Sequence, residues 1–350
     1  MYLRESGKVS PINENPDDSV RFDIHTPLMR EFLKDSNENC IKYADGTAAL
    51  DKPLPVRLSW SGGKYRFKLK ISENPDMTEA WVFETDENRY DVYNLKIGTK
   101  YYWNVEAETD GKTAYITDTK AFVTADAAPR NLFIGGKVLN ARDIGGWNTA
   151  DGKRVKQGLL YRTSALDGYL GGKTVSYLTP SGKHIMKNLL GIKTEIDLRV
   201  DHKTEEEYPP DEKTSSVLGK DAVYYHCPIL LGGENYLKST DSIRTIFSVL
   251  ANPDSYPITY HCAVGADRTG GITYLILGLL GVKYEDAVRD YMFTNFSYQQ
   301  KYRPPVKGMY VETLDNYHGA TLKEKIYNYL AKEIGIPTSS LDFIINYLTE

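Results

Sequence analysis

Only three cysteines, Cys40, Cys227 and Cys262, occur in 350 residues, too few for a disulfide framework to hold the fold. Charge of one sign is lacking as well. The 43 basic residues stand against 47 acidic ones, so no broad attraction to nucleic acid or to a membrane surface is expected. No apolar run is long enough to span a bilayer; the longest, near Gly270–Val282, suits a buried helix. Repeats and low-complexity tracts are absent. Tyr2, Leu3 and Arg4 lead straight into polar sequence, so no signal peptide is read at Met1. What remains is a chain long enough for two cores, and rich in tyrosine, with 27.

The front and back of the chain read differently. Residues 53–125 alternate in strand fashion, as in Leu58-Ser59-Trp60 and Tyr65-Arg66-Phe67-Lys68-Leu69-Lys70, with no helical period. A turn at Asn94–Thr99 precedes Tyr101-Tyr102-Trp103-Asn104-Val105, and Lys120–Thr124 closes the set. This pattern resembles a fibronectin type III β-sandwich, with an aromatic placed for a tyrosine corner. Such a domain implies a binding or spacing role toward a protein or carbohydrate, and it points to export, hence a secreted or cell-envelope setting. We therefore expect an N-terminal extension over 1–50, an all-β sandwich over 51–127 and an α/β domain over 128–350. The extension should hold a strand around Val20–Ile24 and a helix around Pro27–Lys34, packed on one domain or the other.

Within the last of these, His261-Cys262-Ala263-Val264-Gly265-Ala266-Asp267-Arg268-Thr269 carries the chemistry. Tyr256–Tyr260 reads as a buried strand and Gly270–Val282 as a helix, so the nine residues form a tight loop at a helix N-terminus. There, backbone N–H groups and the positive helix end converge on one spot, which suits an anion. A helix N-terminus and a nearby cation also favour a thiolate, making Cys262 the candidate nucleophile. Arg268 offers a planar fork matched to two phosphate oxygens. Gly265 lets the loop curl, and Ala263, Val264, Ala266 and Thr269 would line the phosphate, with Thr269 either capping the helix or bonding the thiolate. The chemistry indicated is phosphoryl transfer onto sulfur, then hydrolysis of a cysteinyl-phosphate. No metal or cofactor is called for.

The loop resembles that of the Cys-x5-Arg protein tyrosine phosphatase superfamily. Three further blocks, Asn140-Ala141-Arg142-Asp143-Ile144-Gly145-Gly146, Gly158–Leu166 and Ile196-Asp197-Leu198-Arg199, extend the resemblance over roughly residues 131–350. Together they are similar to a bacterial tyrosine phosphatase family whose members include secreted phosphatases with dual protein and phosphoinositide activity. The resemblance implies a phosphotyrosine-containing protein or a phosphorylated inositol or lipid as substrate. It also implies that His261 tunes the thiol and that Asp267 is a candidate general acid. This chain departs from the family in having Ala266 where a lysine is usual, which removes a positive charge wanted by a multiply phosphorylated ring, and in Ala141 where a bulkier residue is common.

Several roles stay open at this level. Asp267 could donate a proton to the leaving group or simply hold Arg268 and the loop, and Glu234 is the other acid candidate. Arg142, Asp143, Arg162, Asp197 and Arg199 should gather at the loop's edge of the sheet, supporting it from behind, with Arg162 and Asp143 also candidates to reach the substrate. Lys137, Arg142 and Arg162 are the available rim cations for an inositol-phosphate substrate. A catalytically silent phosphate-binding or adhesion protein is the alternative from another class. Cys227 could bridge to Cys262, although a plain buried thiol is expected.

Overall fold

The structure, a computed structural model, describes residues 10–11, 21–35, 40–170, 173–174, 176–200, 215–230, 235–305 and 314–350. The chain separates into two compact units, residues 1–26 with 53–127, and residues 27–52 with 128–350. The stretch read as a single extension is therefore divided. Its strand, Arg21–Phe22, pairs in parallel with Lys120–Thr124 of the first unit, whereas its helix, Pro27–Lys34, belongs to the second. The division follows burial. Met29 and Phe32 of the helix are fully covered, and Phe32 meets Phe293 and Phe296 with ring centroids 5.4 and 5.8 Å apart.

Among the described residues of the first unit, every regular element is a strand. One sheet orders Ser10–Pro11, Val56–Ser61 and Arg89–Val92. A larger one orders Arg21–Phe22, Lys120–Thr124, Lys100–Thr109, Arg66–Ser72 and Trp81–Thr85, with Lys112–Ile116 also paired to Lys100–Thr109. Alternate residues point inward, as the period-two pattern requires: Val56, Leu58 and Trp60 from one sheet, Phe67, Leu69, Ile71, Tyr101, Trp103 and Val105 from the other. Trp60 meets Phe67 edge-on at 5.4 Å, joining the two faces. The Tyr101 hydroxyl accepts the Lys96 N–H at 2.8 Å, which closes the turn between them as a tyrosine corner does.

The second unit is built on a six-stranded sheet. Arg130–Asn131, Arg142–Asp143 and Leu160–Thr163 pair antiparallel along one side. Leu160–Thr163, Ile258–His261, Thr194–Asp197 and Val223–His226 then run parallel in that spatial order. Leu160–Thr163, Ile258–His261 and Thr194–Asp197 are buried throughout, because helical layers cover both faces. Leu160 faces a core shared with the helices Thr240–Leu250, Asp267–Leu279, Tyr284–Met292, Leu322–Lys332 and Thr338–Leu348. Its neighbour Tyr161 faces a smaller core with Leu132, Met186 and Leu190. The second unit is thus α/β. Among the described residues, no helix is long and apolar enough to cross a membrane.

Register fixes where the chemistry lies. Thr163, Asp197 and His226, at the C-terminal ends of three parallel strands, align with or beside His261 at the end of the fourth. All four chains leave the sheet at one edge, where open α/β sheets hold their ligands.

Candidate active site

Ile258–His261 ends in the loop Cys262–Ala266, and the helix Asp267–Leu279 begins at once. Gly265 adopts φ +68°, and a Cβ there would lie 2.6 Å from the Thr163 carbonyl oxygen. Both the left-handed backbone and the close approach require glycine. The helix is buried from Arg268 onward on every side, which explains why its sequence shows an apolar run rather than a stripe.

The carbonyls of the loop determine where its amides point. Ala263 O accepts the Ala165 N–H at 3.1 Å, and Val264 O accepts from Gln299 Nε2 at 3.3 Å. Gly265 O accepts from Asn140 Nδ2 at 2.7 Å and from Arg162 Nη2. In a trans peptide the next residue's N–H points opposite to the carbonyl. Tying three successive carbonyls to outside donors therefore turns the N–H groups of Val264, Gly265 and Ala266 away from those donors. Such a nest of amides at a helix N-terminus makes a cradle chemically suited to an anion. Cys262 opens it, Arg268 stands in the first helical turn, and both side chains are buried.

Thr269 does not cap the helix. The cap position is Ala266, without a side-chain bond, and Thr269 lies in the first turn with its buried Oγ1 making no hydrogen bond among the described residues. Asp267 is half-buried and engaged through both oxygens: Arg303 Nη1 lies 2.9 Å from Oδ2, and the Tyr291 hydroxyl donates to Oδ1 at 3.2 Å. Glu234 lies outside the described residues.

Three other expectations are corrected. Asp143 and Arg162 were candidates to reach the substrate, yet both are fully buried. Asp143 pairs with Arg130 at 2.8 Å and accepts the N–H groups of Gly145 and Gly158 at 2.8 and 2.6 Å. Arg162 ties Gly265 O from behind and pairs with Asp290 at 3.3 Å. Arg142 is equally remote from the rim, buried against Asp290 at 3.0 Å. Of the three rim cations expected, only Lys137 is exposed. The hub of this network, Asp290, also accepts from Trp147 Nε1 at 3.3 Å. It went unnoticed in the sequence, although its place three residues after Ala287 on the buried face of Tyr284–Met292 was a readable signal. Burial alone would raise its carboxyl, but Arg142 and then Arg162 outweigh that and hold it below the usual carboxylate range. Burial, aided by Arg142, pushes the Arg162 guanidinium down to about 10.

A second network lies under the start of the loop. His261 Nε2 meets Glu195 Oε1 at 3.0 Å, and Ser216 donates to Glu195 Oε2 at 2.5 Å. Arg199 pairs with Asp197 at 2.6 Å and Asp167 at 2.9 Å, and Tyr224 also donates to Asp197. Glu195, Asp197 and His261 bring potential metal-ligand atoms within 4.8 Å of one another. Arg199 already pairs with Asp197, however, and His261 already bonds Glu195, so the donor set is engaged in an internal polar network.

Cys262 and Cys227 each follow the end of a parallel strand, with Thr194–Asp197 between them. Two strand spacings put them ~10 Å apart, too far for a disulfide without backbone movement. All three cysteines are free. A hollow of about 300 Å³ between Ala150–Asp151, Gly281–Glu285 and Thr321–Lys323 contains none of the candidate residues. It opens at the other end of the loop helix, ~20 Å from the cradle.

The tyrosine phosphatase family matches residues 136–349. The chain belongs to that family. A protein of Cupriavidus necator provisionally named as tyrosine-protein phosphatase H16_A0669 is 27% identical over 184 residues. That alignment takes in 45% of this chain and 61% of the relative's length. Among solved structures, the core catalytic domain of the PP-IP phosphatase SIW14 from S. cerevisiae, in complex with citrate, is similar at 16% identity. It matches with a TM-score of 0.31, over 53% of this chain and 88% of that one. A second structure of the Siw14 catalytic core gives 15% identity and 0.30 over the same shares. The family match begins after the first unit and after residues 27–52, and takes in the loop and the Asp290 network.

Proposed function

We propose that this family member is a cysteine-dependent phosphomonoesterase of the protein tyrosine phosphatase type. The observation that carries the reading is the loop itself, with three outward-tied carbonyls, Cys262 at its start and Arg268 at the helix N-terminus. The Cys262 thiolate attacks phosphorus, the bond from phosphorus to the leaving oxygen breaks, and that oxygen takes up a proton. Water then attacks the cysteinyl-phosphate, sulfur departs and inorganic phosphate is released. The amides of Val264, Gly265 and Ala266 and the Arg268 fork hold the charge that builds on the non-bridging oxygens. A phosphotyrosine-like aryl ester is the favoured substrate class, since Arg142 and Arg162, both paired with Asp290, are not free to serve as cations that an inositol polyphosphate would want.

Asp267 serves in this reading as an anchor. Its oxygens are both engaged, by Arg303 and Tyr291, which fixes the start of the helix to two neighbouring side chains. An Asp267→Asn protein is expected to lose activity by a similar factor toward nitrophenyl and phenyl phosphates. A much larger loss on the poorer leaving group would instead make Asp267 the general acid.

The first unit is proposed to be a fibronectin type III-like module, supported by its two facing sheets and the Tyr101 corner, and to bind or orient rather than catalyse. The test of the whole proposal is hydrolysis of an aryl phosphate with chelator present, for the parent and for Arg268→Lys. Activity should survive the chelator, and the lysine, lacking the two-pronged geometry, should lower kcat/KM by roughly 10²-fold or more. No turnover by the reduced parent protein would reject the proposal.

A further inference from the structure

Two of the three carbonyl ties in the cradle are themselves held by a segment that precedes the family match. Asn140, whose side chain bonds Gly265 O, sits at φ +55° with its own N–H bonded to Asp51 Oδ2 at 2.8 Å. Asp51 also accepts from Asn131 Nδ2 through its carbonyl at 3.3 Å. Gln299, whose side chain bonds Val264 O, is buried and gives its N–H to Gly46 O at 2.7 Å. Gly46 in turn gives its N–H to Asn295 O at 2.9 Å, and the Leu50 N–H reaches Phe296 O. The Asn295 side chain clamps Arg303, accepting its N–H at 2.7 Å and donating to its carbonyl at 2.9 Å, and Arg303 pairs with Asp267. Gly46 tolerates no side chain: φ is +77°, and a Cβ would lie 2.4 Å from Lys301 O.

We infer that residues 46–51 form a strap that sets the phosphate cradle, and that Asp51 is a positioning residue acting through Asn140 on the Gly265 peptide. The strap lies before residue 136, where the family match starts, and belongs to the same compact unit as the cradle. If the Asn140 N–H loses its acceptor, the left-handed Asn140 turn relaxes and one tie on Gly265 O loosens. The Ala266 N–H then loses its aim. The inference rests on the cradle being an oxyanion site, which the Proposed function requires.

The experiment is tungstate binding by calorimetry to the whole chain, with aryl phosphate kinetics alongside. Asp51→Ala should weaken tungstate about tenfold and lower kcat/KM at least as much. Asp51→Asn keeps an oxygen acceptor for the Asn140 N–H and should restore tungstate affinity to within about threefold of the parent. A folded Asp51→Ala protein that binds tungstate as the parent does overturns the inference, and so does Asp51→Asn as weak as Asp51→Ala. If Asp51→Ala does not fold, Gln299→Leu tests the strap from its other end with the same readouts, and unchanged tungstate binding is again fatal. Tungstate binding without turnover in the parent rejects the enzymatic proposal while leaving the strap testable; no tungstate binding at all rejects both.

Discussion

A Cys262→Ser protein is expected to hydrolyse aryl phosphates ~10⁴-fold or more slowly than the parent while binding tungstate about as tightly. The two outcomes separate because the substitution leaves the cradle amides and Arg268 in place and changes only the atom proposed to attack. Sulfur is the stronger nucleophile of the two at neutral pH, because a serine hydroxyl does not reach the alkoxide there. The other thiols offer no substitute. Burial pushes both Cys40 and Cys227 up to about 12, and the single Cys40 S–H lies within reach of the carbonyls of both Ala44 and Met292. Alkylation of the folded protein at neutral pH should therefore map to Cys262 alone and be blocked by tungstate. Mass spectrometry of acid-quenched parent protein with substrate should find phosphate on the peptide containing Cys262. Turnover by the serine protein above one per cent of the parent's would sink the thiol mechanism.

The second large effect is on stability. Asp290→Asn keeps the shape of the side chain but leaves Arg142 and Arg162, both buried, without their shared counter-charge. Breaking a buried ion pair in this way costs about 3–5 kcal/mol, a large part of a typical folding free energy. Because the folded Asp290 carboxyl is depressed, its stabilising contribution is complete above the unfolded carboxylate value of ~3.9. It fades as the pH falls further, toward and through the folded value. Denaturant midpoints of parent and Asp290→Asn should accordingly differ widely at pH 7 and converge in acid. A gap that stays constant down to pH 2 would show that the charge is not what matters. Loosening of Arg162 also releases one tie on Gly265 O, so the folded fraction of the variant should bind tungstate more weakly.

Some parts of the molecule were legible because the interactions that make them are local. The order of strand, loop and helix around Cys262 spans about twenty residues, and each step follows from composition and the Gly265 turn. The helix Pro27–Lys34 and the strand Arg21–Phe22 formed where expected. The Tyr101 corner closes over five residues. Assignments that depend on which polar group meets which fared differently. Asp143 and Arg162 were read as supports of the loop that could also reach the substrate, and the fold commits both to internal partners. Arg303 meets Asp267 across 36 positions, and no periodicity in the sequence links them.

The sequence by itself determined the strand, loop and helix that bring Cys262 and Arg268 together, the turn that needs Gly265 and the alternating faces of the first unit. These depend on residue chemistry, backbone conformation and short-range periodicity, which the chain carries at each position. Only the tertiary structure decided what holds the cradle in shape: Asn140 and Arg162 on one carbonyl, Gln299 on the next, and Gly46 and Asp51 behind them. The reason is physical. A buried carbonyl will accept from any donor that geometry delivers, and that delivery is set by the packing of segments dozens to hundreds of residues apart.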